Sequence, residues 1–224
     1  MGILTKSGWL ILAYLIGSIP FGYIILRIKT GQDIREFHSG RTGGTNVMRV
    51  TGFWVGIAAG FLDTLKGASS VWIARSLFPD AYWIHALSPI ATIIGHNYSL
   101  LLVNRREDGK LDFGGGAGGS TCLGGSMGLW FPGGLIIGAV GMALFYFVGY
   151  ASVTTLSFAF TSVIIFGIRA AMGLSPWHYV VYGVLAQALL VWALRPNIQR
   201  LKEGTERLHG FRAEQKKGLL KAEK

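Results

Sequence analysis

The stretch SGRTGGTNVMR, residues 39 to 49, gathers Ser39, Gly40, Arg41, Gly43, Gly44, Thr45 and Asn46 within a few positions, with Arg49 just beyond them. Glycine-rich backbone forms a concave nest of N–H donors, the start of a following helix adds positive dipole, and arginine offers a planar fork that grips two oxygens at once. Such a set suits an anion, a phosphate or a carboxylate. The same residues also read locally as a turn in which Thr45 or Asn46 caps the next helix.

Two further stretches are unusual. DFGGGAGGSTCLGGS, residues 112 to 126, is dominated by glycine, which costs roughly 0.5–1 kcal/mol per residue relative to alanine in regular structure. The expectation is that Gly114, Gly115, Gly116, Gly118 and Thr121 bring bare backbone against an anionic ligand; close packing of helices by small residues is the alternative. RPNIQRLKEGTERLHG, from Arg195 onward, gathers Asn197, Arg200, Lys202 and Glu206 where the last apolar run ends. It reads either as part of a site or as an interfacial helix whose cations reach for headgroups. Asp63 and Lys66 stand three apart, on one helix face, and are expected to pair. His96 reads as a hydrogen-bonded packing residue, and the single Cys122 forms no internal disulfide and has no metal-ligand companion.

The elements that must position these residues are apolar. The 224 residues are 51% hydrophobic and 14% charged, with a mean hydropathy of +0.45, outside ordinary soluble composition. Runs at about 8 to 26, 52 to 74, 84 to 103, 120 to 131, 133 to 149, 151 to 168 and 177 to 194 predict an all-α, polytopic transmembrane bundle of about seven spans. The fourth and fifth are short against the ~20 residues a bilayer core requires; they divide at Phe131-Pro132-Gly133, and five spans is the alternative count. The first run lacks a cleavage site and reads as a retained helix rather than a signal peptide.

Arg27, Lys29, Arg35, Arg41 and Arg49, then Arg105, Arg106 and Lys110, then nine basic residues from Arg195 onward mark three segments of one side. By the positive-inside rule that side is cytoplasmic, the N-terminus outside and the C-terminus inside. The net charge of +10 is then mostly this signature and calls for no nucleic acid. Residues 1–202 form one integral-membrane domain on this reading, and 203–224 a basic cytoplasmic tail able to rest on anionic lipids.

The motifs together resemble the PlsY-type glycerol-3-phosphate acyltransferases of bacteria. GSIPFGY, SGRTGGTNVMR, LDTLKG, GHNYS, the glycine run, YASVTT and NIQRLKEGTE follow in that family's order across nearly the whole chain. The resemblance implies a seven-span enzyme of the bacterial cell (inner) membrane, with its active site on the cytoplasmic face. It would transfer an acyl chain from acyl phosphate to the 1-hydroxyl of glycerol 3-phosphate, using membrane lipids as surroundings and no metal or other cofactor. Ser39, Thr45, Asn46 and Arg49 would hold the acyl phosphate and assist attack, with Gly40, Gly43 and Gly44 as backbone donors; Asn197 and Glu206 would complete or brace the site. The glycine run would cradle the acceptor phosphate.

This chain departs from the family pattern F-K-G-G-K-G-x-A-T, having Gly114 and Ala117 where the pattern has lysines, and Leu194 where it has histidine. Lys110, three residues before Phe113, is the expected substitute cation. Two other readings stay open at this point: a relative that binds a lipid precursor without efficient turnover, and a transporter whose glycine run is a re-entrant segment.

Overall fold

Each apolar run is mainly helical in the computed structural model, the first as two helices divided at Ile19–Pro20, and the structure describes residues 2–105, 108–213 and 215. In chain order the helices are α1 (Ile3–Ser18), α2 (Phe21–Thr30), α3 (Gly44–Thr51), α4 (Phe53–Leu77), α5 (Tyr82–Asn97), α6 (Gly119–Leu129), α7 (Phe131–Phe147), α8 (Ala151–Ala171), α9 (His178–Ala193) and α10 (Arg195–Lys202). A three-residue antiparallel hairpin, β1 (Val103–Arg105) with β2 (Leu111–Phe113), lies between α5 and α6 and pairs Asn104 with Asp112. The architecture is otherwise helical, as the composition predicts. Arg106, one of the cations of the second basic segment, and residues 214 and 216–224 of the tail lie outside the described residues.

Two helical units are long and apolar enough to cross a membrane by themselves, Ile3–Thr30 and Ala151–Ala171, and α9 with α10 makes a third if that pair, bent by 66°, counts as one. The remaining helices are shorter or carry buried charge. The boundary between α6 and α7 falls at Trp130, one residue before the expected break, with Pro132 in the first turn of α7, where its missing N–H costs nothing. The run expected to continue to 103 ends as a helix at Asn97. There Ser99 turns the chain: its hydroxyl donates to the Ser18 carbonyl at 2.5 Å and accepts from the Leu101 N–H at 3.2 Å.

Helices that face lipid gain little from the hydrophobic effect when they associate, so close backbone approach and interhelical hydrogen bonds carry the packing. α4 packs most extensively on α6, where a Cβ on Gly67 would overlap the Thr121 carbonyl and one on Gly124 the Thr64 carbonyl. Between α1 and α5 the Thr92 hydroxyl donates to the Ala13 carbonyl at 3.1 Å and Tyr14 to the Tyr98 carbonyl at 2.9 Å. A core of Ile93, Phe166, Tyr182 and Leu190 joins α5, α8 and α9, and the Tyr182 hydroxyl finds the Cys122 carbonyl at 2.6 Å. Ile11, Trp54, Phe61, Leu135, Ile164 and Trp192 point outward, the surface expected of helices solvated by lipid.

The expected pair of Asp63 and Lys66 is present and buried, 2.8 Å apart. Lys66 Nζ also donates to the Ile19 carbonyl at the α1–α2 break and to His96 Nδ1, both at 2.9 Å. An ammonium has no acceptor, so His96 Nδ1 accepts and Nε2 is left to face the glycine run.

Candidate active site

The first loop is built from its own side chains. Asp33 caps the turn Ile34–Glu36 by accepting from the Arg35 N–H at 2.9 Å, and the Arg35 guanidinium returns to the same carboxylate at 2.6 Å. That contact holds the Asp33 carboxyl below the usual carboxylate range and raises Arg35. Asn46, 2% exposed, donates from Nδ2 to the Phe37 carbonyl at 3.0 Å and the Arg41 carbonyl at 2.9 Å. Gly40, at φ +66°, turns the chain between those two carbonyls. The Thr42 N–H then donates to the Gly115 carbonyl at 3.1 Å, fastening the loop to the glycine run. Asn46 therefore shapes the loop, while its Oδ1 is buried without a partner.

The loop closes one side of a cavity of about 340 Å³ lined by Ser39, Arg41, Arg49, Asn197, Arg200, Glu206 and Arg207, with four arginines against one carboxylate. Glu206 is 9% exposed and already committed: Oε1 accepts from Asn197 Nδ2 at 2.9 Å and Oε2 from Arg200 Nε at 3.1 Å. Arg41 Nη1, Arg49 Nε and Asn197 Oδ1 are buried without a partner. Burial first, and then the charge of neighbouring arginines, lowers the pKa of both Arg41 and Arg49. Buried donors in excess of acceptors are costly unless an anion completes them.

A second cavity, about 290 Å³, is a largely apolar groove between α4, α7 and α8, with Met48, Phe53, Ile57, Met142, Phe145 and Phe158 along it. It shares Ser39, Arg41, Arg49 and Asn197 with the arginine cavity. Gly43, Gly44, Thr45, Asn46, Ala117, Gly118, Gly119, Ser120 and His96 also line it. The two cavities meet where α4, α6 and α8 begin and α5, α7 and α9 end. Successive helices running in opposite directions bring these ends together.

The glycine run divides in two. The Gly116 N–H donates to the His96 carbonyl at 2.9 Å and the Gly114 carbonyl accepts from the Ser99 N–H at 2.9 Å. A Cβ on Gly115 would strike the carbonyls of His96 and Asn97, and one on Gly116 the His96 ring. These glycines lie against the end of α5 and the turn after it, and the Gly116 N–H satisfies the His96 carbonyl. Gly118, at φ +87°, and Gly119 do line the groove, as the start of α6. Thr121 is fully buried beneath them and lines none of the three cavities. Lys110 is not brought to the site: it stands beyond the hairpin turn, 80% exposed and 3.4 Å from Asp108.

A contact that no sequence pattern marks completes the mouth. After α10 the chain returns, the His209 N–H donating to the Gly149 carbonyl at 2.8 Å, and its ring stacks on Phe145 at 5.2 Å. His209 Nε2 accepts from Arg49 Nη2 at 2.7 Å. Burial, reinforced by the charge of Arg49, pushes its pKa down to about 4. The only cue in sequence is the basic stretch after Glu206; the docking depends on Gly149 and Phe145, some sixty residues earlier.

Residues 7–204 match the family model described as Glycerol-3-phosphate acyltransferase. Curated relatives of that name include one from Syntrophomonas wolfei, 36% identical over 91% of this chain and 96% of its own, and one from Thermus thermophilus, 34% identical over 94% and 99%. Among solved structures, the glycerol 3-phosphate form of PlsY, an integral membrane glycerol 3-phosphate acyltransferase, superposes with a TM-score of 0.79 at 29% identity, covering 92% of this chain and 96% of that one. The lysophosphatidic acid form gives 0.77 at 28% identity over the same shares. With a family model spanning most of its length and relatives above 30% identity along it, the chain belongs to the glycerol-3-phosphate acyltransferase family.

Proposed function

We propose that this integral-membrane enzyme acylates the 1-hydroxyl of glycerol 3-phosphate from acyl phosphate, giving lysophosphatidate and inorganic phosphate for phospholipid synthesis. The observation that carries the reading is the junction at Ser39, Arg49 and Asn197, where an arginine-lined polar cavity opens into an apolar groove. An acyl phosphate has these two halves, and its reacting carbonyl lies between them. The relatives' names and the two substrate- and product-bound forms of PlsY support the same acceptor.

In this reading the guanidinium of Arg49 holds phosphoryl oxygens, Ser39 and Thr45 hydrogen-bond the donor, and Asn197, braced by Glu206, completes the cup. Gly40, Gly43 and Gly44 shape the backbone around it, and Gly118 opens α6 toward the acceptor. The acceptor oxygen attacks the acyl carbon, the bond from that carbon to the phosphate oxygen breaks, and the hydroxyl proton leaves with the phosphate. Positioning and charge stabilisation supply the rate, and Ser39 binds without being acylated.

The chain is read as seven spans of the bacterial inner membrane, N-terminus outside, forming one domain over 1–202. The site then faces the cytoplasm and the tail from 203 onward adds a basic, lipid-facing end. Support comes from the seven apolar runs of the sequence and from the gathering of basic residues at the end where the cavities lie. Purified protein in lipid vesicles, given labelled glycerol 3-phosphate with either acyl phosphate or an acyl thioester, tests the function. Labelled lysophosphatidate with equimolar phosphate, from acyl phosphate alone, is expected; thioester-dependent product without phosphate would overturn the donor.

A further inference from the structure

Arg41 leaves the first loop from fixed backbone. Its carbonyl is held by Asn46 Nδ2 at 2.9 Å, and the next N–H by the Gly115 carbonyl at 3.1 Å. The side chain reaches the point where the arginine cavity, the apolar groove and a third cavity of about 280 Å³ beside Gly115, Gly116 and Asn97 all come together, and it lines all three. Nη2 donates to the Ala193 carbonyl at the end of α9. Nη1 is buried with no partner.

No ion pair among the described residues reaches this guanidinium. The carboxylate of the cavity, Glu206, is taken by Asn197 and Arg200, and Asp63 by Lys66. With Arg41 in the groove stand Ala117, Gly118 and Gly119, and in the third cavity Gly115, Gly116 and Asn97, whose side-chain amide is likewise buried and unpartnered. Lys110, the other candidate for a cation on this side, is turned to solvent. A rigidly placed, desolvated fork with a free N–H is the group that a phosphate dianion would complete.

We infer that Arg41 is a phosphoryl-binding residue of the substrate site, the second guanidinium beside Arg49. The inference rests on the proposed reaction, in which two phosphorylated substrates must occupy one site and a single fork cannot serve both. Either substrate could supply the phosphate that Arg41 holds, and their separate KM values identify it. The competing role is a tether, in which Arg41 only ties the loop to α9 through Ala193.

The test uses the full chain in lipid vesicles. Arg41→Gln keeps an N–H for the Ala193 carbonyl and removes the charge, and Ala117→Lys added to it returns a cation from another residue of the same groove. Expected is a rise on the order of tenfold or more in the KM of one substrate for Arg41→Gln, with kcat falling less, and partial recovery on adding Ala117→Lys. Recovery by a lysine that cannot make the Ala193 contact is inconsistent with a tether. Wild-type KM values for both substrates in Arg41→Gln, or a raised KM that the lysine leaves untouched, would overturn the inference. Thermal unfolding with and without inorganic phosphate reads binding without turnover: the stabilisation seen in the wild type should be lost in Arg41→Gln. If it is retained there, Arg41 fails; if the wild type is stabilised yet makes no product, it is the proposed reaction that fails.

Discussion

Two glycine-rich segments, 39–46 and 113–121, look alike in composition and differ in what their bare backbone meets. In the first, a Cβ on Gly43 would meet open space, while the segment's side chains, Ser39, Arg41 and Thr45, face cavities. In the second, Gly115 and Gly116 are packed against the last carbonyls of α5 and the His96 ring. Gly44 of the first segment is also packed, against Gly56 and Gly60 of α4, so the contrast lies between Gly43 and the pair Gly115 and Gly116. In the second, Ala117, Gly118 and Gly119 line the groove, and Gly115 and Gly116 line the third cavity.

The largest expected effect lies in the first segment. Arg49→Ala should lower turnover by roughly 10²–10³-fold, the cost of removing a charge-stabilising donor from a buried site, with thermal unfolding close to wild type. A wild-type rate would detach the segment from chemistry. Next, Gly116→Ala should destabilise by about 3 kcal/mol, the upper range for overpacking, read as lost yield and a lowered unfolding temperature. Gly43→Ala, at φ −71° with space around it, should change stability by less than about 0.5 kcal/mol. Equal destabilisation by both would erase the contrast.

A smaller effect concerns pH. His209 titrates at about 4 when docked on Arg49, against 6.5 when free, so docking favours the neutral ring. Its contribution is complete above pH 6.5 and is lost as pH falls toward 4, when a second cation would face Arg49. Hydrogen exchange of the His209 amide, corrected for its intrinsic rate, should accelerate from pH 7 to pH 5 relative to amides of α8; a flat profile would contradict this. Smallest of all, Lys110→Ala should leave both KM values unchanged, and a raised acceptor KM would return that residue to the site.

Much of this was legible because it is local. Apolar runs mark the helices regardless of partners, and the Asp63–Lys66 pair follows from three-residue spacing. That Ser39, Thr45 and Arg49 line one cavity follows from their being neighbours in sequence as well as in space. What sequence could not supply was distance between separated segments. That Gly115 rests on the end of α5 while lining the third cavity, and that the hairpin carries Lys110 out to solvent, are facts of this kind. Asn46 lines the groove, and the three carbonyls that its Nδ2 ties together are not marked by the sequence. His209 has no local signal because its partners, Gly149, Phe145 and Arg49, come from three other parts of the chain.

The central claim is that the headgroup of the donor sits among the arginines while its chain lies in the groove between α4, α7 and α8. An acyl phosphate carrying a photoreactive group near the end of its chain, activated on the protein in vesicles and mapped by mass spectrometry, tests it most directly. Adducts on Phe53, Ile57, Met142 or Phe158, competed away by unlabelled acyl phosphate, are predicted. Adducts spread over outward residues such as Ile11, Leu135 and Ile164, and insensitive to competitor, would contradict it.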